Sequence, residues 1–395
     1  MLLKRQTKPH ILIISAFLAT FCQGLTEITT DESQNAKVIY NSAINTLKDK
    51  YYLKSKIDFK RWQKKETNIK SSNDTYRYIN ELLGKLEDPY TKLLTQEEFK
   101  DEQNLINSSL VGIGIKLDIK KPVVREILPG SPAYREGIEP NDLILAVGNK
   151  STRGLRTSEV VGLIRGPKDS DLKLEIRRGK NILTKTLKRE ELKLISVSGK
   201  MLENSVALIK VESFIPDNTS RLFKEEILKL MSANGIIIDL RNNTGGLLKN
   251  ATEIADMFLT EGKIVSTVTR LGKINNYANS DSSFDGQIII LTNENTASAS
   301  EILASALKEN NRATVIGKKT YGKGLIQEVI ELPDHSALHV TVGAYLTPGG
   351  KNINKKGIVP DKIIRDEREQ LQVAQEILIA GKDNTEKGQL LTLSN

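Results

Sequence analysis

The chain has 395 residues, with 58 Lys and Arg against 49 Asp and Glu, which gives a formal net charge of +9. Hydrophobic residues make up 38% and charged residues 27%, a composition typical of folded domains, and the length favours roughly two or three of them. One cysteine and three histidines are too few for a disulfide framework, a structural zinc site or an iron–sulfur cluster.

The first 24 residues have the pattern of a signal peptide. A basic stretch at residues 4–10 precedes an apolar run at residues 11–21, which is too short to span a bilayer comfortably. Small residues at Cys22 and Gly24 favour cleavage after Gly24, so we expect an exported protein whose mature chain lacks cysteine. Lipidation and an uncleaved anchor are the alternatives, and membrane association through the N-terminus therefore stays open.

Residues 30–108 are predicted to form an N-terminal helical region. Apolar residues recur at helical spacing in residues 38–47 and again in residues 76–86, where the pattern stops at Asp88-Pro89. The lysines between the two stretches are interpreted as a solvated face, and no basic stripe with interleaved aromatic residues indicates nucleic-acid binding. These helices could form a homo-oligomer or pack on the rest of the chain, so the oligomeric state is left open.

Residues 109–190 are typical of a small β-rich module. Alternating apolar residues predict a strand over residues 111–117, three more short strands come after it, and a helix is expected at residues 157–165.

This module resembles a PDZ domain. The likeness depends on its Gly-Ile-Gly-Ile segment, on the run ILPGSPAYREGIEPNDLILAVGNK at residues 127–150, and on the helix after that run. The resemblance implies that the C-terminal tail of a protein binds as an added strand, with its carboxylate held by backbone N–H groups. The peptide-binding residues would be Gly112, Ile113, Gly114 and Ile115.

In residues 191–370, strands and helices alternate. Two continuous apolar runs, at residues 235–240 and 287–291, are typical of strands covered on both faces. The alternation predicts an α/β core with a largely parallel sheet. A short helix and a polar tail are expected over residues 371–395.

The loops after the two buried strands carry residues suited to a nucleophile and an oxyanion hole. Gly245 and Gly246 come after the first strand, and a Gly-Gly turn frees backbone N–H groups. Ser298 comes after the second strand in a run of small residues, ahead of a helix whose N-terminus favours negative charge. Ser298 with Glu301 also fits an ordinary capping box, so these two segments alone leave both catalysis and a structural role open.

A base for Ser298 must come from elsewhere, because there is no Gly-x-Ser-x-Gly elbow, and His335 and His339 fit a turn and a strand. Lysine is the remaining common base, and it has to be neutral, which burial favours. Lys323 is the candidate, because flanking glycines give its backbone room. With the strand period of 2, Gln327 would project from the same face and orient the amine, whereas an exposed turn lysine is the alternative.

Four ordered segments then resemble the carboxyl-terminal processing, or tail-specific, serine protease family. In chain order they are GIIIDLRNNTGGLL (235–248), IIILTNENTASASEILASALK (288–308), TYGKGLIQ (320–327) and ALHVTVGAYLTPGGKNINKKGIVPD (337–361). The segment LEDPYTKLLTQEEF (86–99) matches the family ahead of the PDZ domain, and the likeness covers nearly all of residues 35–375. Thr244 departs from the proline usual at its position, but it supplies no proton and no oxyanion contact.

The resemblance implies a serine endopeptidase that needs no cofactor and no metal. Ser298 would be the nucleophile, Lys323 the general base and Gln327 the residue that orients the lysine. The implied fold is multidomain α/β, with a mixed, largely parallel protease core, an inserted β-rich PDZ domain and an N-terminal helical segment.

The resemblance also implies an oxyanion hole, a coupling residue and a class of partner. The amides of Ala299 and Gly245 would hold the oxyanion, with Gly246 second, and Arg165 would couple tail binding to the site. The expected partners are exported proteins with accessible C-terminal tails, cleaved in the periplasm or at the outer face of the cytoplasmic membrane. A non-catalytic PDZ scaffold that binds such tails is the alternative, and a small-molecule esterase is a second one.

Overall fold

The computed structural model describes residues 13–53, 57–118, 120–193, 195–279, 282 and 284–392. Of the predicted signal segment, residues 1–12 lie outside these ranges, and residues 13–24 belong to the first helix. No helix in the described ranges is both long and apolar enough to cross a membrane.

The N-terminal region is a helical layer with one short strand. Its elements are α1 (Ile13–Lys50), α2 (Phe59–Gln63), a 3₁₀ helix (Lys64–Asn68), α3 (Ser72–Leu86), β1 (Lys92–Leu94) and α4 (Gln96–Ile106). Apolar side chains at helical spacing, among them Ile44 of α1 and Ile79 of α3, form one buried cluster. Helix α3 ends just before Asp88-Pro89, where the sequence pattern predicts its end.

The β-rich module has its own apolar core, centred on Leu174 and Ile176. Its elements are β2 (Ser109–Gly112), β3 (Ile115–Leu117), β4 (Val124–Ile127), α5 (Pro132–Arg135), β5 (Leu143–Val147), β6 (Lys150–Ser151), α6 (Thr157–Ile164), β7 (Asp171–Arg178), β8 (Asn181–Lys188) and β9 (Glu190–Lys193). Strands β2 and β9 pair, as do β3 and β4, and the remaining strands form a sheet in the order β6-β5-β7-β8. The single strand predicted over residues 111–117 is two strands, because the chain turns at Gly114, whose φ is +81°.

The C-terminal core contains two sheets. Its elements are β10 (Val197–Met201), a 3₁₀ helix (Glu203–Ser205), β11 (Val206–Val211), α7 (Thr219–Lys229), β12 (Gly235–Asp239), α8 (Leu248–Asp256), β13 (Lys263–Thr269), β14 (Gly272–Tyr277), β15 (Gln287–Thr292), α9 (Ala299–Glu309), β16 (Ala313–Gly317), β17 (Leu325–Glu331), β18 (Ala337–Leu346), β19 (Lys362–Ile363) and α10 (Glu367–Thr392). The larger sheet has the order β10-β11-β12-β15-β16-β19, and every pairing in it except β10–β11 is parallel.

This parallel sheet is covered on both faces, as its continuous apolar strands predict. On one face, Ile236 and Ile238 pack in the cluster that also holds Ile302 of α9. On the other face, Ile237 packs with Leu378 of α10. Helix α10 continues to Thr392, so a single long helix replaces the short helix and polar tail that the sequence pattern predicts.

The smaller sheet is antiparallel and joins the core to the N-terminal region. Strand β18 pairs with β17 along one edge, and with β13 and β1 along the other, and β14 extends the sheet beyond β13. Strand β1 reaches this sheet from the N-terminal region and pairs Lys92 with His339. Residues far apart in the chain therefore meet at the segment between β16 and β17, where Lys323 lies.

Candidate active site

Ser298 lies at the turn between β15 and α9. Its backbone has φ 57° and ψ −119°, a conformation uncommon for a residue with a side chain, and only 8% of the residue is exposed. Ala299 begins α9, and its N–H donates to no group in the described part of the chain. The turn therefore places a buried hydroxyl beside a free amide at a helix N-terminus.

The Gly-Gly turn after β12 reaches this serine. A side chain at Gly245 would place its Cβ 2.8 Å from Ser298 Cβ and 2.9 Å from the Ala299 nitrogen, and its φ is +96°. Glycine is required here by both the close approach and the left-handed backbone. The structure thus brings Ser298, the predicted nucleophile, together with both predicted oxyanion segments.

The hydrogen bonds distinguish the two glycine amides. The Gly245 N–H donates to Asn243 Oδ1 at 2.9 Å, and the buried Asn243 side chain is itself held by the Val211 carbonyl. The Gly246 N–H points away from its bridge partner Phe214 and donates to no group that the structure describes. In this conformation the free amide of the turn is that of Gly246, although the sequence-based preference was Gly245. Nothing in the sequence indicated that Asn243 competes for the Gly245 amide.

A single buried carboxylate connects Ser298 to the segment that carries Lys323. Glu301 Oε2 accepts the Ser298 N–H at 2.8 Å and the Lys323 N–H at 2.9 Å, so the two nitrogens are no further apart than the sum of these lengths. Glu301 Oε1 accepts the Gly322 N–H at 2.7 Å and the Thr320 hydroxyl at 2.5 Å. Four donors from two segments therefore converge on one fully buried side chain.

The Lys323 side chain extends toward the N-terminal region. Its Nζ lies 4.9 Å from the centroid of the Tyr90 ring. Burial lowers the pKa of Lys323, and the positive charge of Lys92 lowers it further, whereas Asp88 and Glu102 oppose the shift. Burial, with Tyr321 close by, raises the pKa of Tyr90 to about 12. The direction of the Lys323 shift is the one that a lysine base requires.

In the described part of the chain, no hydrogen bond joins the Gln327 amide to Lys323. Gln327 Nε2 donates to Thr341 Oγ1 at 3.5 Å, which is its only hydrogen bond among the described residues. The expectation that both side chains share a face assumed an unbroken strand. Lys323 instead precedes β17, outside the ladder that fixes the orientation of Gln327, and the extra residue at the irregularity beside Gln327 belongs to β18.

The predicted tail-binding loop joins β2 to β3. Gly112 ends β2 and Ile115 begins β3, and the N–H groups of Ile113 and Gly114 donate to no group in the described part of the chain. In the described ranges β3 pairs only with β4, so its other edge is open to an added strand.

Arg165, at the end of α6, contacts neither Ser298 nor Lys323. Its guanidinium pairs with Asp101 of α4. The next residue, Glu102, lies 2.7 Å from His339 Nε2 of β18. Helix α4 therefore stands between the β-rich module and the core.

Several residues at the site are not predicted from the sequence. Glu301 is visible only as a helix cap, and its bonds to the lysine segment carry no sequence signal. Tyr90 and Lys92 lie in the segment at residues 86–99 that resembles the protease family. That resemblance indicates that the segment matters but does not identify the role of either residue. Glu102 and Asn243 have no signal at all.

Comparison with known proteins gives concordant results. The model of Peptidase family S41 matches residues 205–364, and that of the PDZ domain matches residues 123–178. A carboxyl-terminal-processing protease of Picosynechococcus sp. is 38% identical over 310 residues, which are 76% of this chain and 75% of that protein. A protein of the same description from Synechocystis sp. is 37% identical over 313 residues, covering 75% and 72%.

Solved structures agree. The photosystem II D1 C-terminal processing protease superposes with a TM-score of 0.62 at 26% identity, covering 84% of this chain and 94% of that one. The matches span the β-rich module and the core that carries Ser298 and Lys323, and they confirm the predicted multidomain α/β fold. The chain belongs to the carboxyl-terminal-processing proteases of peptidase family S41 and is a serine-type peptidase with a PDZ domain.

Proposed function

We propose that the chain is an endopeptidase with a Ser298–Lys323 dyad that cleaves exported proteins near their C-termini. The observation that carries the proposal is the Glu301 carboxylate, which binds the backbone N–H groups of both residues. A non-catalytic relic has no need for a buried acid that holds a serine and a lysine segment together. The lowered pKa of Lys323 adds to the argument, because the base must be neutral to work.

The proposed reaction uses Lys323 as both base and acid. Neutral Lys323 Nζ takes the proton of Ser298 Oγ as that oxygen attacks the peptide carbonyl carbon. Collapse of the tetrahedral intermediate breaks the C–N bond, and Lys323 returns the proton to the leaving amine. Water then attacks the carbonyl carbon of the acyl-enzyme ester as Lys323 accepts a proton from it. The ester C–O bond breaks, Lys323 returns the proton to Ser298 Oγ, and the fragment with the new carboxyl terminus leaves.

We assign the stabilisation of the oxyanion to backbone N–H groups. Ala299 N–H is free at the start of α9, and Gly246 N–H is free in the glycine turn. Gly245 becomes a donor when it exchanges its hydrogen bond with Asn243 for one to the substrate. Donors of this kind are each worth about 3 kcal/mol of barrier in serine proteases.

Tail recognition is assigned to the PDZ domain. The free N–H groups of Ile113 and Gly114 suit a carboxylate, and the open edge of β3 suits an extended peptide. Arg165 would couple tail binding in the PDZ domain to the active site through its ion pair with Asp101 of α4, without contacting Ser298 or Lys323. Gln327 would orient Lys323 after its amide leaves Thr341.

Export is proposed from the apolar run at residues 11–21 and its basic flank. Mass analysis of the protein secreted by a bacterial host tests it, because cleavage after Gly24 leaves Leu25 as the first residue. A full-length mass in the exported fraction contradicts cleavage and favours a retained anchor.

The proposed activity is tested by incubating the chain and its Ser298→Ala variant with an unfolded protein of defined C-terminus, with the products read by mass. We expect fragments from near the tail with the unchanged chain and none with the variant, which should still bind the tail. Cleavage by Ser298→Ala contradicts the assigned nucleophile. Tail binding without cleavage by either protein favours the non-catalytic scaffold.

A further inference from the structure

Charged residues of the N-terminal region surround the lysine from outside the segments that carry the dyad. Glu102 Oε2 of α4 lies 2.7 Å from His339 Nε2, and the two side chains are 28% and 17% exposed. Lys92 of β1 stands opposite His339 in the β1–β18 pairing. Tyr90, two residues before Lys92, lies against Lys323 Nζ.

The charges that face Lys323 oppose one another. Lys92 lowers the pKa of Lys323, and Asp88 and Glu102 raise it. Burial alone would raise the pKa of Glu102, but His339, Lys92 and Lys323 together lower it, so this carboxylate is ionised. Tyr321 and Glu301 complete the surroundings of the Tyr90 ring.

We infer that Glu102 is a positioning residue of the peptidase, an ionised carboxylate anchored by His339 that sets the charge of Lys323 from a helix outside the dyad segments. The inference rests on the proposed function, in which Lys323 is the general base. A fixed negative charge near a partly buried amine stabilises its protonated form, and the effect is large where water is excluded. Helix α4 thereby controls how much of the base is neutral at a given pH.

Glu102 is better suited to this role than Asp88, the other acid near Lys323. The Asp88 carboxylate accepts hydrogen bonds from the Tyr90 N–H and the Thr91 hydroxyl, so it holds the turn before β1. The only hydrogen bond of the Glu102 side chain in the described part of the chain is with His339. Changing Glu102 therefore alters the charge near Lys323 without dismantling the segment that carries Tyr90.

The test is the pH dependence of kcat/KM for a short peptide substrate. Glu102→Gln removes a negative charge, so the Lys323 proton is held less tightly and the acid limb should move to lower pH. Lys92→Gln removes a positive charge and should move the limb in the opposite direction. Glu97→Gln removes an exposed charge from the same helix and should leave it in place.

An unshifted acid limb in Glu102→Gln overturns the inference, even if the rate falls, because a merely structural role lowers the rate at all pH values alike. Glu102→Asp should restore the limb of the unchanged chain. If thermal melts show that Glu102→Gln does not fold, Lys92→Gln is used instead, because Lys92 is exposed. In that variant, an acid limb of the pH profile that is unchanged or moves to lower pH overturns the inference. The Lys323→Ala variant separates the two proposals: if it cleaves normally, the dyad itself is wrong.

Discussion

The segments that carry Ser298 and Lys323 are built in different ways. Ser298 lies between β15 and α9, and its neighbours come from the same parallel sheet and its turns. Lys323 lies between β16 and β17, its ammonium group faces Tyr90 of the N-terminal region, and the glycines on either side of it pack on residues 353–357. The position of the serine is set by one strand–turn–helix unit, whereas the protonation of the lysine depends on residues more than 200 positions away.

The largest effect is expected at the base. Lys323→Ala should abolish cleavage, with kcat/KM at least about 10²-fold lower, because the variant lacks the proposed base for the serine proton. Folding and tail binding should be unchanged. Lys319→Ala, an exposed lysine of the same segment, is the matched control and should retain full activity in the peptide assay. Full activity of Lys323→Ala would sink the assignment of the base.

The next largest loss of activity is expected at the glycine turn, which lies beside Ser298. Gly245→Ala puts a methyl group against Ser298 Cβ and forces a side chain into φ +96°. We expect activity to fall more than about tenfold and the melting temperature to drop. Gly148→Ala is the control, because its φ is also positive but the space around it is open. Equal kinetics in the two variants would contradict the close approach.

Glu301 joins the two segments, so its substitution tests whether they are coupled. Glu301→Gln replaces one acceptor oxygen by an NH₂ group that faces N–H donors, which should destabilise the fold by about 1–3 kcal/mol and lower kcat. Glu294→Gln, whose pair with Lys318 is largely exposed, should change neither quantity by much. Denaturant unfolding together with peptide kinetics measures both, and an unchanged kcat would show that the bridge is only structural.

The smallest effect is expected where the PDZ domain meets α4. Arg165 and Asp101 are partly exposed, so Arg165→Gln should change the free energy of unfolding by no more than about 1 kcal/mol. It should nevertheless reduce the ratio of cleavage of a tailed protein to that of a short peptide, and Asp101→Asn should reduce it equally. A ratio unchanged in both variants argues against coupling through α4.

The surroundings of Ser298 could largely be predicted from the sequence, whereas the surroundings of Lys323 could not. The buried strands before Gly245 and Ser298 are indicated by continuous apolar runs, and the glycines and small residues after them predict the turns. The orientation of Gln327 relative to Lys323 was not predictable, because β17 begins only at Leu325 and the strand-like sequence does not mark that boundary. Glu102 was not predictable either, because only tertiary packing brings α4 to β18.

The central claim is that Lys323 is the base that activates Ser298, and labelling with a fluorophosphonate tests it without any assumption about the substrate. Mass analysis should locate the adduct on Ser298 in the unchanged chain, with a rate that rises with pH as Lys323 loses its proton. Lys323→Ala should remain unlabelled over the same period, and Lys319→Ala should be labelled normally. An adduct on another residue, or labelling of Lys323→Ala at the rate of the unchanged chain, would contradict the account.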